Sequence, residues 1–502
     1  MNKKYYITTP IYYVNALPHL GNAYSTFAAN VLADYHRMLG EDVYFVTGTD
    51  ENAQKNVEAA ESAGEDVKKY VDRMSARWQE TWDTLAVTNN DFIRTTEERH
   101  KKGVEKFYNT VFAKSDIYKG TYEGLYCIGC ESYKTDGDLV DGLCPEHKRK
   151  PEILKEDNYF FKVTKYREKL LKHIEDNPNF IQPKERRNEI IRYIADYMED
   201  FSISRVNQKW GIPAPNDNEH TLYVWFDALI NYLTAVGYGT DEKMFKKWWP
   251  AQMHIVGKDI LKHHAAWWPA MLMAADLPLP ERIFAHGFFT VNGEKMSKTI
   301  GNVLNPEYLA KQLGIEPLKY YLLHDIPFGK DGDVSIDKFQ EIYTSELANG
   351  IGNLISRVTS MIEKYSNGVI PSPNKMINRF PAPTLINKHL ESASFEKALK
   401  EIQKAVSDIN TKINEEKPWE MAKEKKTEEL DSFLYDAVEV IRNIAWALIP
   451  FMPETSDKIF ESLGLIAAEE KKQTFVKISE KTTIEPGLKV KKPPILFPTI
   501  SP

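Results

Sequence analysis

The sequence predicts an α/β fold: a doubly wound parallel sheet, interrupted by a metal-binding insert and followed by an all-α segment. Three observations predict it. The chain opens in strand–helix–strand order, all three of its cysteines cluster in one mid-chain segment, and the pattern beyond about residue 341 is helical throughout.

The elements follow in order. Residues 5–9 read as a short apolar-rich strand, followed by a Pro-containing loop through Pro18. From Leu20 to Met38, the residues Phe27, Val31, Tyr35 and Met38 recur at helical spacing, and Gly40 closes the segment. Val43 to Val46 is again a strand, ending in Thr47-Gly48-Thr49-Asp50. Strand, helix and strand make a βαβ unit, which requires a parallel sheet. Ligands of such sheets bind at the carboxyl ends of the strands, so His19 and Asp50 fall on the same rim. Residues 116–220 interrupt the pattern. Thr221-Leu222-Tyr223-Val224-Trp225 and His254-Ile255-Val256-Gly257 are expected to resume the sheet. In the helical region, Pro371, Pro373, Pro381 and Pro383 mark a break between helices. The Pro-rich end, with Pro493, Pro494, Pro498 and Pro502, reads as a strap lying on the body. There is no internal repeat or low-complexity tract.

A chain of 502 residues is long enough for several domains. Hydrophobic content of 42% and charged content of 27% fit an ordinary globular protein. The apolar runs are too short or interrupted for a membrane span, and the start has two lysines but no signal-peptide core. A cytoplasmic location is expected. Net charge is −7 and the isoelectric point about 6.0, which argues against a wholesale basic coat for nucleic acid. A local basic face could still steer RNA.

Cys127, Cys130 and Cys144, with His147, are spaced Cys-x2-Cys-x13-Cys-x2-His. This supplies thiolate and imidazole ligands in two close pairs, as tetrahedral zinc prefers. Gly129 and Gly142 allow the tight turns, and Asp136-Gly137 offers a hairpin between the pairs. With four protein ligands the site is closed, so one structural Zn2+ per chain is expected. The alternative is three unrelated thiols in a reducing compartment; the lack of cysteine elsewhere weighs against it.

Pro18-His19-Leu20-Gly21-Asn22 and the late Lys295-Met296-Ser297-Lys298-Thr299 resemble the signature pair of class I aminoacyl-tRNA synthetases. Further local matches, from residue 7 to about 420, narrow the resemblance to the methionyl-tRNA synthetases. The resemblance implies a Rossmann-type catalytic domain (1–115 and 221–275), a connective insert with the zinc knuckle (116–220), a linking region carrying the Lys-Met-Ser-Lys loop (276–340) and an anticodon-binding helix bundle (341–502). The implied reaction is attack of a carboxylate on the α-phosphate of ATP, which needs placed donors and cations more than a base. His19 and Asn22 are expected to donate to phosphate from the helix start, with Gly21 allowing close approach. Lys295 and Lys298, beside Ser297, would reach the outer phosphates with Mg2+, hinged at Gly293. Gly257 and Asp259 would receive the adenosine.

The stretch from Val224 to Tyr232 resembles the family's amino-acid pocket. That likeness implies a thioether slot lined by Trp225, Ala228, Leu229 and Tyr232, closed by Ile260 and His264, and walled by Ile11 and Tyr13. Asp50 matches the carboxylate that takes the methionine ammonium. Two departures stand out: Asn22 where the first signature often has a second His, and Asn52-Ala53 where His-Gly is common. Asn353, Arg357 and Trp419 match the residues that read the CAU anticodon by hydrogen bonds and stacking. The implied partners are L-methionine, ATP and tRNA(Met), both initiator and elongator. With no further RNA-binding module before Pro502, a monomer is expected. Isoleucyl, leucyl and valyl relatives would need a long editing domain in the insert, and cysteinyl relatives scatter their zinc ligands. A zinc-stabilised tRNA-binding relative without chemistry is the rival from another class; methionine-dependent pyrophosphate exchange separates the two.

Overall fold

Six strands, β1 (Lys4–Tyr13), β2 (Asp42–Asp50), β3 (Asp91–Arg94), β4 (Ile181–Gln182), β5 (Met253–Gly257) and β6 (Ile283–His286), form one sheet in the order β3-β2-β1-β5-β6-β4. The structure, a computed structural model, describes all residues except 1–2, 129–131, 135–138, 146–147, 207, 292, 296–303, 375–381, 475–482 and 499–502. Every neighbouring pair in the sheet is parallel. Parallel sheets are covered on both faces, and the side-chain alternation obeys this. Tyr5 and Ile7 enter one buried cluster, which continues into the helical region, while Tyr6 enters the other. Met253 and Ile255 of β5 join the first cluster and Val256 the second.

The chain leaves β1 toward β2 and β3 on one side and later returns to place β5 on the other. The boundary between β1 and β5 is therefore the switch point where a crevice opens at the strand ends. Helix α1 (Leu20–Met38) begins above it and ends before Gly40, whose φ of +78° suits glycine.

Two sequence expectations are corrected. The first strand does not stop at residue 9 but runs to Tyr13, through Pro10. Proline lacks the N–H a ladder needs, and the pairing with β2 shifts register between Thr8 and Ile11 to pass it. The second correction concerns Thr221–Trp225, which does not rejoin the large sheet. Asp217–Leu222 is a strand of a separate antiparallel sheet with Ser204–Arg205 and Pro213–Ala214, and Val224–Leu229 is a helix. A short apolar run has no period that separates strand from helix. Here the Tyr223 carbonyl accepts the N–H groups of Phe226 and Asp227, and the chain coils.

Within the insert, Ile117–Cys127 pairs antiparallel with Glu152–Phe161 and with Ser132–Lys134. Val140 and Leu143 exchange both backbone hydrogen bonds across Asp141-Gly142, whose φ values are 54° and 72°. That is the tight two-residue turn expected at Gly142. Gly129 and Asp136-Gly137 lie outside the described residues.

The C-terminal region packs α2 (Asn353–Tyr365), α3 (Phe395–Glu416) and α4 (Thr427–Leu448) around Leu354, Val358, Leu399, Val438 and their neighbours. The described part of the tail does lie as a strap: Ile370 donates to the Leu488 carbonyl, and the Tyr343 hydroxyl donates to that of Pro498. Among the described residues, no helix is long and apolar enough to cross a membrane.

Candidate active site

The crevice at the switch point is a cleft of about 550 Å³. It brings together Ile11, Tyr13, His19, Gly21, Asn22 and Asp50 from the first βαβ unit with Trp225, Ala228, Leu229 and Tyr232 from the short helices beyond the insert. Gly257, Asp259, Ile260 and His264, at and after the end of β5, complete the same wall.

At one end the cleft meets the start of α1. His19 is the N-cap: its Nδ1 accepts from the Gly21 N–H at 3.1 Å, and the Asn22 Oδ1 accepts from the His19 N–H at 3.0 Å. Both side chains therefore satisfy the helix's own orphan donors. Expected as donors to a phosphate, the two side chains here accept from backbone N–H groups. A Cβ on Gly257 would lie 2.5 Å from the Asp259 Oδ1, so a larger residue there would displace that carboxylate.

The other end is an apolar slot with paired polar atoms. The Tyr232 hydroxyl lies 2.7 Å from His264 Nε2, and His264 Nδ1 lies 3.0 Å from the Ile260 carbonyl. A carbonyl can only accept, so Nδ1 carries the proton and Nε2 accepts from Tyr232. Burial lowers the His264 pKa to about 4, which keeps the ring neutral. Trp225 stacks on His263 with ring centres 3.8 Å apart. Asp50, at the tip of β2, is 4% exposed and puts a carboxylate on the rim of this slot.

Two family patterns match the chain: tRNA synthetases class I (M) over residues 5–152 and 146–359, and the anticodon binding domain of methionyl tRNA ligase over residues 375–502. The chain belongs to the methionyl class I tRNA synthetases. It is 43% identical to a methionine–tRNA ligase of Thermotoga maritima over 92% of this chain and 75% of that one. With the enzyme of Streptomyces coelicolor it shares 44% identity over 92% of this chain and 90% of that one. The Mycobacterium tuberculosis methionyl-tRNA synthetase in complex with methionyl-adenylate superposes with a TM-score of 0.93 at 36% identity, covering 99% of this chain and 100% of that one. The free form of that protein gives 0.87 at 34% identity, covering 100% of this chain and 99% of that one.

The remaining residues singled out by the family resemblance lie elsewhere. Lys295 closes a short hairpin, Phe289–Val291 with Glu294–Lys295, whose turn contains Gly293 at φ +80°. Ser297 and Lys298 fall outside the described residues, as do Cys130 and His147. Cys127 and Cys144 are both buried, at 3% and 0% exposure. Among the described residues no group of three metal-binding side chains is assembled. On α2, Asn353 is exposed, while Arg357 donates to Asn410 and Asn414 of α3 at 2.9 and 3.1 Å. Trp419 is 44% exposed in the first turn of Pro418–Lys423.

Sequence reading missed two parts of the cleft. His286 ends β6, and its Nε2 lies 2.6 Å from the Ser25 hydroxyl while Nδ1 lies 2.8 Å from the Gly287 carbonyl. Burial lowers its pKa to about 4. A histidine followed by glycine at a strand's carboxyl end was the available signal. Trp78 also lines the cleft, stacked on Tyr12 and donating to the Ala16 carbonyl at 2.9 Å, so it pins the loop before His19.

Proposed function

We propose that this cleft performs the reaction of its family: it activates L-methionine with ATP and then charges tRNA(Met). The observation that carries the reading is the slot itself. Asp50 supplies one buried carboxylate at the mouth of an apolar channel whose own polar pair, Tyr232 and His264, is already satisfied. An unbranched, soft side chain with an ammonium at its base fits that arrangement.

In the first step a methionine carboxylate oxygen attacks the α-phosphorus of ATP, the bond to the bridging oxygen breaks, and pyrophosphate leaves. Asp50 holds the ammonium, so the carboxylate points at the helix start. Phosphate arriving there exchanges with the caps, freeing the Gly21 N–H and turning His19 outward as a donor, with Asn22 beside it. Asp259 accepts from ribose hydroxyls at Gly257, and Lys295, Ser297 and Lys298 hold the outer phosphates. Mg2+ bound with ATP would share the phosphate charge. In the second step the 2′-hydroxyl of the terminal adenosine attacks the methionyl carbonyl and AMP leaves.

Cys127, Cys130, Cys144 and His147 would hold one structural Zn2+. The buried thiols of Cys127 and Cys144 and the tight turn at Asp141-Gly142 suit a closed knuckle. Asn353, Arg357 and Trp419 would read the anticodon of initiator and elongator tRNA(Met). We place the protein in the cytoplasm as a monomer.

The test is ATP–pyrophosphate exchange with each of the twenty amino acids, without tRNA. Exchange with methionine alone is expected. Exchange with a different amino acid would keep the nucleotide site and overturn the slot; no exchange by folded, zinc-loaded protein would overturn both.

A further inference from the structure

Asn52 stands where the family commonly has histidine, and the structure gives it a partner remote from the nucleotide. Its Nδ2 donates to Asp227 Oδ2 at 2.9 Å and lies 3.4 Å from the Thr95 carbonyl. Its backbone N–H faces Asp50 Oδ1 at 3.4 Å, and its carbonyl accepts from Gln208 Nε2 at 2.9 Å. Asp227 is fully buried on the helix Val224–Leu229, which presents Trp225, Ala228 and Leu229 to the cleft. These three are at helical spacing on one face, and Asp227 points from the opposite one.

We propose that Asn52 is a positioning residue for amino-acid binding, joining the Asp50 carboxylate to the pocket helix through its hydrogen bond to Asp227. The inference rests on the reading that Asp50 takes the methionine ammonium. Adjacent residues share the same anchorage: the Glu51 N–H donates to Thr95 Oγ1 at 2.9 Å, and the Trp210 indole donates to the Glu51 carbonyl at 2.8 Å. With the segment so pinned, the Asn52 side chain sets the distance between the carboxylate and the slot wall. Asp227 Oδ1 has no partner among the described residues. Burial pushes the Asp227 carboxyl pKa well up, with the Asn52 amide offsetting part of that.

The experiment measures KM for methionine, KM for ATP and kcat in pyrophosphate exchange for Asn52→Asp, Asn52→Ala, the double variant Asn52→Asp/Asp227→Asn, and Asp50→Asn. Asn52→Asp replaces the donor by an acceptor of the same shape. Methionine KM should rise about tenfold, the worth of one buried hydrogen bond, with ATP KM unmoved. The double variant re-forms the bond with donor and acceptor exchanged and should recover most of the loss. Asn52→Ala serves if Asn52→Asp does not fold, with the same split expected. Equal rises in both KM values, an unchanged methionine KM, or no recovery in the double variant would overturn the proposal. Asp50→Asn separates the two readings: a normal methionine KM there overturns the assignment of Asp50, whereas a raised one beside unaffected Asn52 variants overturns only this inference.

Discussion

At the scale of single residues, the cleft is governed by which polar atoms already have partners. Asp50 is the residue proposed to hold the methionine ammonium, so its loss should be felt by methionine alone. Asp50→Asn is expected to raise methionine KM by about ten- to a hundredfold, the range of a charge-assisted hydrogen bond, with ATP KM little changed; steady-state exchange kinetics check it. Gly257→Ala should act on the other substrate. Its Cβ would meet the Asp259 carboxylate at 2.5 Å and push it aside, so ATP KM should rise by about tenfold while methionine KM holds. The residues that recur in local patterns were legible: His19, Asp50, Trp225, Tyr232 and Gly257 all line the one cleft. The pairings were not. Nothing in the order of residues says that Asn52 meets Asp227, 175 positions away, or that Ser25 meets His286, 261 positions away. Such contacts come from packing two halves of a sheet together, which periodicity does not encode.

At the scale of elements, legibility depended on length. Helix α1 was readable from Leu20 to Met38 because apolar spacing repeats over five turns and Gly40 ends it. Thr221–Trp225 is too short to show a period and reads as strand, whereas the helix Val224–Leu229 begins within it. In β1, Pro10 read as the end of the strand, but a register shift lets the strand continue and carry Ile11 and Tyr13 to the rim. The insert offers an element-scale test of metal binding. Purified protein is expected to hold one zinc per chain by atomic absorption, falling to near zero in Cys127→Ser. Amide exchange in Ile117–Cys127 and Glu152–Phe161 should quicken on chelation, because a closed site contributes directly to local stability. Full zinc content in Cys127→Ser would remove that thiol from the ligand set.

At the scale of the whole molecule, buried histidines link stability to pH, and burial also lowers His254 and His263 well below the ordinary value. Burial lowers His264 and His286 to about 4 and His100 to about 3, against an ordinary value of 6.5. The unfolded chain therefore binds protons on these rings before the folded one does. Stability should be flat above pH 6.5 and fall as pH drops toward 4, by about 1.4 kcal/mol per pH unit for each ring. Urea unfolding at several pH values checks the slope, and His100→Gln should make it shallower. The sequence of fold types, a parallel α/β sheet followed by a helical region, was legible because alternating strands and helices give way to a helical pattern. The helical region also has a property that only the fold reveals. Arg357 of α2 donates from Nη1 to Asn410 and from Nη2 to Asn414 of the facing helix. Under the anticodon role proposed for Arg357, an incoming base competes with these two amides, so only the difference between the two sets of bonds remains as affinity. On that reading the resting protein carries its own competitor for the base.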